Sequence, residues 1–128
     1  MAWSEEQIQY VWNRATAVDG FDKSRFRKDA CGAWIIWDKY GDIDSLYGWE
    51  IDHIVPKTLL VEKGYSQKDI DNLNNLRALQ HENNLSKSND YPSYTAVVTS
   101  EGTENVNVTK FLEVNEKKQE ILRKLYNL

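Results

Sequence analysis

Apolar residues near the start of the chain recur at the spacing of an amphipathic helix. The recurring positions are Ile8, Val11, Trp12 and Ala15. Ser4 precedes them, and Gln7 follows Ser4 by three residues, which resembles a capping box at a helix start. The pattern predicts an N-terminal helix that ends before the turn signal Asp19-Gly20.

The middle of the chain carries short apolar segments with the length and composition of strands. Residues 33–37 and 49–54 are rich in β-branched and aromatic side chains, and the polar loop from Tyr40 to Gly48 predicts a hairpin between them. Pro56 has no backbone donor and should end the second strand. A third small strand is predicted over residues 76–79, after an Asn-rich turn.

The last third of the chain predicts a helix, a hairpin and a second helix. The composition of residues 81–87 suits a helix, and predicted strands over residues 94–99 and 106–111 flank the turn Glu101-Gly102. Asn115 can cap a final helix, whose last turns carry cations that suit the helix dipole. Since no repeat or linker interrupts the chain, we predict one α+β domain over residues 1–128.

Composition narrows the class of protein. Hydrophobic residues make up 41% and charged residues 28% of 128 residues, which excludes disordered, collagenous and low-complexity chains. The longest uncharged apolar stretch, residues 30–37, is far shorter than the roughly 20 residues of a membrane helix, so we expect no membrane partner. Acids follow the N-terminus where a secretory signal carries bases, which favours a cytoplasmic location. Cys31 is the only cysteine, and we expect it to be a small buried hydrophobe.

The distribution of charge indicates two contrasting patches. The net charge of −4 argues against a protein that coats nucleic acid without specificity. Residues 23–28 nevertheless hold four bases and no acid, and Arg25, Arg27 and Lys28 are candidate contacts to a nucleic-acid backbone. A solvated turn or helix face is the alternative for this run. Residues 38–52 hold five acids against one base, and such a run can hold a cation.

Residues with the chemistry of phosphodiester hydrolysis lie between residues 48 and 90. Asp52 stands next to His53, and amide side chains follow at Asn75 and Asn84. A carboxylate and amide oxygens are ligands for a hard cation, and an imidazole is a base of near-neutral pKa. Because Asp52 and His53 would point to opposite faces of a regular strand, the strand must twist or end there if both serve one site.

This stretch resembles the HNH endonuclease family in the variant whose last member is Asn. The resemblance rests on Asp52-His53-Ile-Val-Pro, Asn75-Leu-Arg-Ala-Leu, Asn84 and Lys87, with the spacing seen in the HNH nuclease domain of CRISPR effector enzymes. The motif core spans about residues 48–90, and the upstream Tyr47-Gly48-Trp49-Glu50 is similar to small bacterial or phage stand-alone members.

The resemblance implies a ββα-metal core, in which two strands and a helix hold one divalent ion, and a nuclease acting on DNA. His53 matches the general base, Asp52 and Asn84 match metal ligands, and Asn75 matches a residue that braces the histidine loop. Lys87 is placed to meet a phosphate, and Arg77 is either a phosphate contact or an ordinary surface arginine. The implied products carry 5′-phosphate and 3′-hydroxyl ends.

Two departures from the family pattern carry expectations of their own. Many members place a zinc-binding cysteine pair where this chain has Gln80 and Asn83, so we expect no structural zinc. Asn rather than His at position 84 favours Mg²⁺ or Mn²⁺ as the cofactor. His81 is expected to be a bystander, since the ligand position of the family falls on Asn84, and the alternative is that His81 approaches the metal or the substrate. Three tryptophans, Trp34, Trp37 and Trp49, are expected in the core and not in base stacking.

Two other functions remain open from the sequence. One is a nucleic-acid-binding module of the same fold without useful catalysis, which the acidic net charge leaves in contention. The other is a toxin or phage DNA-processing nuclease that requires a partner protein. The sequence shows no delivery signal or immunity feature that would distinguish a partner-dependent nuclease from a free-standing one.

Overall fold

Five α-helices and three two-stranded antiparallel sheets make up residues 3–128, the part of the chain that the computed structural model describes. The helices are α1 Glu5–Arg14, α2 Lys57–Glu62, α3 Gln67–Ile70, α4 His81–Lys87 and α5 Glu116–Tyr126. The strands are β1 Phe26–Lys28, β2 Trp34–Ile36, β3 Trp49–His53, β4 Leu76–Gln80, β5 Ser93–Glu101 and β6 Glu104–Glu113. The α+β class is confirmed. Residues 1–2 of the predicted domain lie outside the described residues.

Helix α1 forms as its sequence predicts. The Ser4 hydroxyl accepts a hydrogen bond from the Gln7 backbone amide at 3.1 Å, and the Gln7 side chain accepts one from the Ser4 amide at 2.9 Å. This capping box satisfies two amides that the helix itself leaves without partners. Val11 and Trp12 are buried, and the Trp12 ring packs against the ring of Trp49 in β3.

The predicted hairpin between residues 33–37 and 49–54 is wrong. β2 pairs with β1, with Ile35 opposite Arg27, and β3 pairs with β4. The reason lies in the loop over residues 40–48, which brings Tyr40 beside Trp49 in a parallel bridge. The two strands of a hairpin are antiparallel neighbours. Because the loop returns beside Trp49 in the parallel direction, β3 does not pair with β2 and can pair with another strand. Gly48 allows the tight path, because a Cβ there would collide with the carbonyl oxygen of Asp42.

The unit β3–β4–α4 lies at the centre of the fold. β3 and β4 are antiparallel, from Trp49 opposite Gln80 to His53 opposite Leu76. Helix α4 begins at the residue after β4, without an intervening loop, and packs on β5 as well as on β3 and β4. The predicted third strand and the helix over residues 81–87 are therefore confirmed.

The C-terminal part also follows the sequence pattern. β5 and β6 form the predicted hairpin, with Gly102 in the turn at φ +58°. The Asn115 side chain accepts a hydrogen bond from the Lys118 amide at 2.8 Å and caps α5. Leu122 and Tyr126 of α5 are fully buried in one of the two hydrophobic clusters.

Two hydrophobic clusters lie on either side of the β3–β4 pair. The first joins α1 to β3 and β4 through Trp12, Trp49 and Leu76. The second joins α2, β5 and α5 and includes Cys31, which is buried as expected. Trp34 and Trp49 are buried, and Trp37 packs against the first cluster, so the three tryptophans serve the core. Among residues 3–128, no helix has the length and apolar character needed to cross a membrane.

Candidate functional site

The face of β3 that looks toward α4 carries two carboxylates. Glu50 and Asp52 are two residues apart in a strand, so their side chains share one face. His81, Asn84 and Lys87 recur every three residues along α4 and share the helix face that meets β3. The hydrogen bonds and ion pairs between these five residues define the candidate site.

Glu50 joins two α4 residues through its two carboxylate oxygens. The imidazole Nδ1 of His81 lies 2.9 Å from Oε2, and the amide Nδ2 of Asn84 donates to Oε1 at 2.8 Å. The side chains of Glu50 and His81 are 28% and 16% exposed, so solvent reaches this cluster. We call Glu50, His81 and Asn84 the Glu50 cluster.

Asp52 has a different environment from Glu50. Arg77 Nε lies 3.1 Å from Oδ2 and Lys87 Nζ lies 3.4 Å from Oδ1, and the Asp52 side chain is only 5% exposed. Burial raises the pKa of the Asp52 carboxyl, and the neighbouring Arg77 and Lys87 charges act against that rise. The expected metal ligand is therefore already neutralised by two cations of the protein.

The sequence predicts a phosphate contact for Lys87, and either a phosphate contact or a surface position for Arg77, but the structure pairs both with Asp52. Lys87 is fully buried, and its ammonium also donates to the carbonyl oxygen of His53 at 3.1 Å. Burial lowers the pKa of Lys87, and the attraction of Asp52 opposes that shift. Arg77 stacks its guanidinium over the Tyr94 ring at 4.8 Å. A fully buried ammonium is not available to a phosphate, so the role assigned to Lys87 is corrected.

His53 is the last residue of β3, so the strand ends where a site shared by Asp52 and His53 would require. The side chain of His53 nevertheless lies on the opposite face of the strand from that of Asp52. Its Nε2 is 2.7 Å from Oδ1 of Asp71, and its ring is 5.3 Å from the ring of Trp3, which packs on the α1 side of the sheet. Asp71 is held in turn by Gln67, whose amide donates to Oδ2 at 2.9 Å. Within residues 3–128 no hydrogen bond joins the imidazole to Asp52 or Asn84; its partner is Asp71 instead.

Asn75 holds the segment that follows His53. Its side chain is fully buried and accepts from the Val55 amide at 2.7 Å. It also donates to the carbonyl oxygens of Val55 and Ile70, at 3.1 and 3.2 Å. This amide fixes the chain where it turns from β3 toward α2, which is the bracing position that the sequence resemblance implies.

Gln80 and Asn83, at the positions where many HNH members carry cysteines, form a buried polar network. Gln80 accepts from the Asn83 amide, and the Asn83 side chain accepts from the amides of Val97 and Val98. The Asp29 carboxylate accepts from both Gln80 and Asn83, and burial raises its pKa. Asn83 and Asn84 thus have separate roles on different faces of α4, as their angular offset requires.

The basic run over residues 23–28 forms part of the fold. Arg27 is buried, and its guanidinium donates to the carbonyl oxygens of Lys23, Asn13 and Ala15. Its predicted contact with a nucleic-acid backbone is corrected, because these bonds use the guanidinium inside the protein. Lys28 lies over the Trp34 ring at 4.8 Å, and exposed Arg25 lies over the Phe26 ring at 5.3 Å. The first half of the run, residues 23–25, is an exposed turn, as the alternative predicted, and the second half is strand β1.

Comparisons with known proteins leave the family of this chain open. No family model matches it, and searches of curated proteins and of solved structures found no match. The site therefore rests on its own geometry.

Three residues of the site were not among the sequence candidates. The sequence indicates Glu50 only as part of the acidic run and of the upstream segment Tyr47-Gly48-Trp49-Glu50, although its two-residue spacing from Asp52 places both on one strand face. His81 was expected to be a bystander, although it shares a helix face with Asn84. The partnership of Asp71 with His53 depends on how α3 packs beside the end of β3, and no local pattern indicates it.

Proposed function

We propose that this protein is a metal-dependent endonuclease of the HNH type, which hydrolyses phosphodiester bonds in DNA. The observation that carries the proposal is the β3–β4–α4 unit. It presents carboxylates from a strand to Asn84 on the following helix, with a histidine at the end of the strand and a buried Asn75 behind that histidine. This is the order of parts that the motif resemblance implies.

The donor atoms of the site fit a divalent cation. Carboxylate and amide oxygens are the ligands that Mg²⁺ and Mn²⁺ prefer, and Asn84 supplies one of them beside the carboxylate of Glu50. Asp52 could add a second carboxylate only by giving up part of its pairing with Arg77 and Lys87. When bound, the cation would neutralise charge on the scissile phosphate and on the leaving oxygen.

His53 is the group that we propose takes a proton from the attacking water. Its side chain is 18% exposed, so water can reach the imidazole, and histidine is the side chain that most often serves as a general base. Asp71 at 2.7 Å can hold the ring and stabilise the imidazolium that forms, as the carboxylate does in a histidine–carboxylate pair. The hydrogen bond from Lys87 to the His53 carbonyl ties the end of β3 to α4.

The test uses supercoiled plasmid incubated with the purified protein and Mg²⁺ or Mn²⁺, beside an EDTA control. We expect nicked or linear product that disappears with EDTA and with His53→Ala. The matched control is Glu82→Ala, an exposed α4 residue outside the site, which should cleave like the wild type. Circular dichroism of each variant shows that the fold is retained. Intact plasmid from folded wild type under every metal, or full activity of His53→Ala, would refute the proposal.

A second candidate function is a nucleic-acid-binding module without catalysis. Two observations favour it: Asp52 is neutralised by protein cations, and the His53 imidazole lies on the face of β3 away from Asn84. A gel-shift assay with Mg²⁺ separates the two functions. Retarded but uncut DNA supports the module, and cut DNA supports the nuclease.

A further inference from the structure

We infer that the Glu50 cluster itself is a divalent-cation site, with Glu50, His81 and Asn84 as its protein ligands, and that Asp52 is not a ligand. The inference rests on the proposed function for its biological meaning, but the site can be tested by metal binding alone. It assigns a ligand role to two residues, Glu50 and His81, that the sequence resemblance does not place at the metal.

Charge balance is the first argument. Asp52 faces two cations, Arg77 and Lys87, so its charge is satisfied within the protein. Among residues 3–128, the only basic side chain paired with Glu50 is the imidazole of His81, which is charged only when protonated. Within the described residues Glu50 thus presents a partly exposed carboxylate without a lysine or arginine partner, and such a group attracts a metal ion.

Geometry is the second argument. The Glu50 carboxylate joins the other two groups, since each of its oxygens contacts a different side chain, at 2.9 Å for His81 and 2.8 Å for Asn84. Ligand atoms that share an edge of an octahedral sphere with bonds of about 2.1 Å are roughly 3.0 Å apart. A cation can therefore replace the two hydrogen bonds with little movement of the backbone. The amide of Asn84 needs only to turn its oxygen toward the ion.

The donor set indicates which cation to use as a probe. One carboxylate and one amide oxygen suit Mg²⁺ and Mn²⁺, and the imidazole nitrogen shifts preference toward the transition metals. Mn²⁺ accepts both kinds of donor and is paramagnetic. The chain contains only two histidines, so the imidazole signals of His81 and His53 report separately on a bound Mn²⁺ ion.

The experiment measures Mn²⁺ binding to the full chain by electron paramagnetic resonance of the free ion. We expect Glu50→Gln and Asn84→Ala to weaken binding at least tenfold. Glu82→Gln, which removes an exposed carboxylate from the same helix, should bind within twofold of the wild type. In a nuclear magnetic resonance titration, small additions of Mn²⁺ should broaden the ring signals of His81 more than those of His53.

The outcomes separate this site from the proposed nuclease. Wild-type affinity in Glu50→Gln, or stronger broadening of His53 than of His81, overturns the inference while leaving a metal-dependent nuclease possible at Asp52. Mn²⁺ binding that needs Glu50, in a protein that leaves plasmid intact, upholds the site and refutes the nuclease. Wild type that binds no Mn²⁺ at millimolar concentration refutes both.

Discussion

Replacing Asn83 by alanine should cost the protein far more stability than replacing its neighbour Asn84. The Asn83 side chain is 1% exposed and makes four hydrogen bonds. It donates to the Asp29 carboxylate and to the Val98 carbonyl, and it accepts from the amides of Val97 and Val98. These bonds join α4 to β5, where the β5–β6 register shifts between Ala96 and Val98.

The magnitude follows from those four bonds. A net loss of about 1 kcal/mol for each bond gives about 4 kcal/mol, and partners left buried without a hydrogen bond would add to it. Domains of this size have a free energy of unfolding of about 5–15 kcal/mol, so the variant loses a large fraction of its stability. Asn84 has one such bond, to the partly exposed Glu50, so Asn84→Ala should cost less than about 1 kcal/mol.

The assay is urea denaturation followed by tryptophan fluorescence, since the chain has five tryptophans, two of them fully buried. The two variants should differ in midpoint with similar m-values, because they expose similar surface on unfolding. A loss below 1 kcal/mol for Asn83→Ala, or equal losses for the two variants, would refute the assignment of Asn83 to the scaffold and of Asn84 to the site.

Three further predictions concern the scaffold. Burial and the Asp29 charge raise the pKa of the Cys31 thiol to about 12, so a disulfide reagent at pH 8 should label it only after unfolding, and fast labelling of the native protein would contradict this. Burial, with the Asp69 and Asp71 charges, raises the pKa of Tyr126 to about 12. A phenol whose pKa is higher folded than unfolded stabilises the fold below pH 10 and loses that effect toward pH 12. The urea midpoint should therefore fall between pH 10 and 12 by more in the wild type than in Tyr126→Phe, and equal falls would refute the shift. Asn75→Ala removes three buried hydrogen bonds and should lower the free energy of unfolding by about 3 kcal/mol in the same urea assay, whereas a loss under 1 kcal/mol would deny it a bracing role.

Elements with local signals were predictable from the sequence. The capping box of α1, the Asn115 cap of α5 and the turn at Gly102 depend on residues within a few positions of one another. Strand pairing was not predictable in the same way. Whether β2 pairs with β1 or β3 depends on the path of the 40–48 loop, and the contacts that fix this path connect residues far apart in the chain.

The candidate site was predictable only in part, because Glu50 and His81 were not among the site residues that the sequence predicts. The motif resemblance names Asp52, Asn75 and Asn84, and α4 places the Asn84 side chain against Glu50 of β3. The long side chain of Lys87 was expected to extend to substrate, but it turns inward to Asp52 and to the His53 carbonyl. Spacing along a helix fixes the face of a residue and leaves open where a flexible side chain ends.

β3 shows how one strand gives two carboxylates different roles. Trp49 and Ile51 bury their side chains in the first hydrophobic cluster, against α1, so the alternate residues Glu50 and Asp52 must face α4. Asp52 is more deeply buried than Glu50. A buried charge is tolerated only when it is paired, and Arg77 and Lys87 pair with the Asp52 carboxylate. Glu50 is partly exposed to solvent, and its partners are the side chains of His81 and Asn84 and not a lysine or an arginine. The Glu50 carboxylate therefore remains available to bind a cation from solution. The Asp52 carboxylate does not, because it is buried and already paired, and this difference is why we infer that Glu50 is the metal ligand.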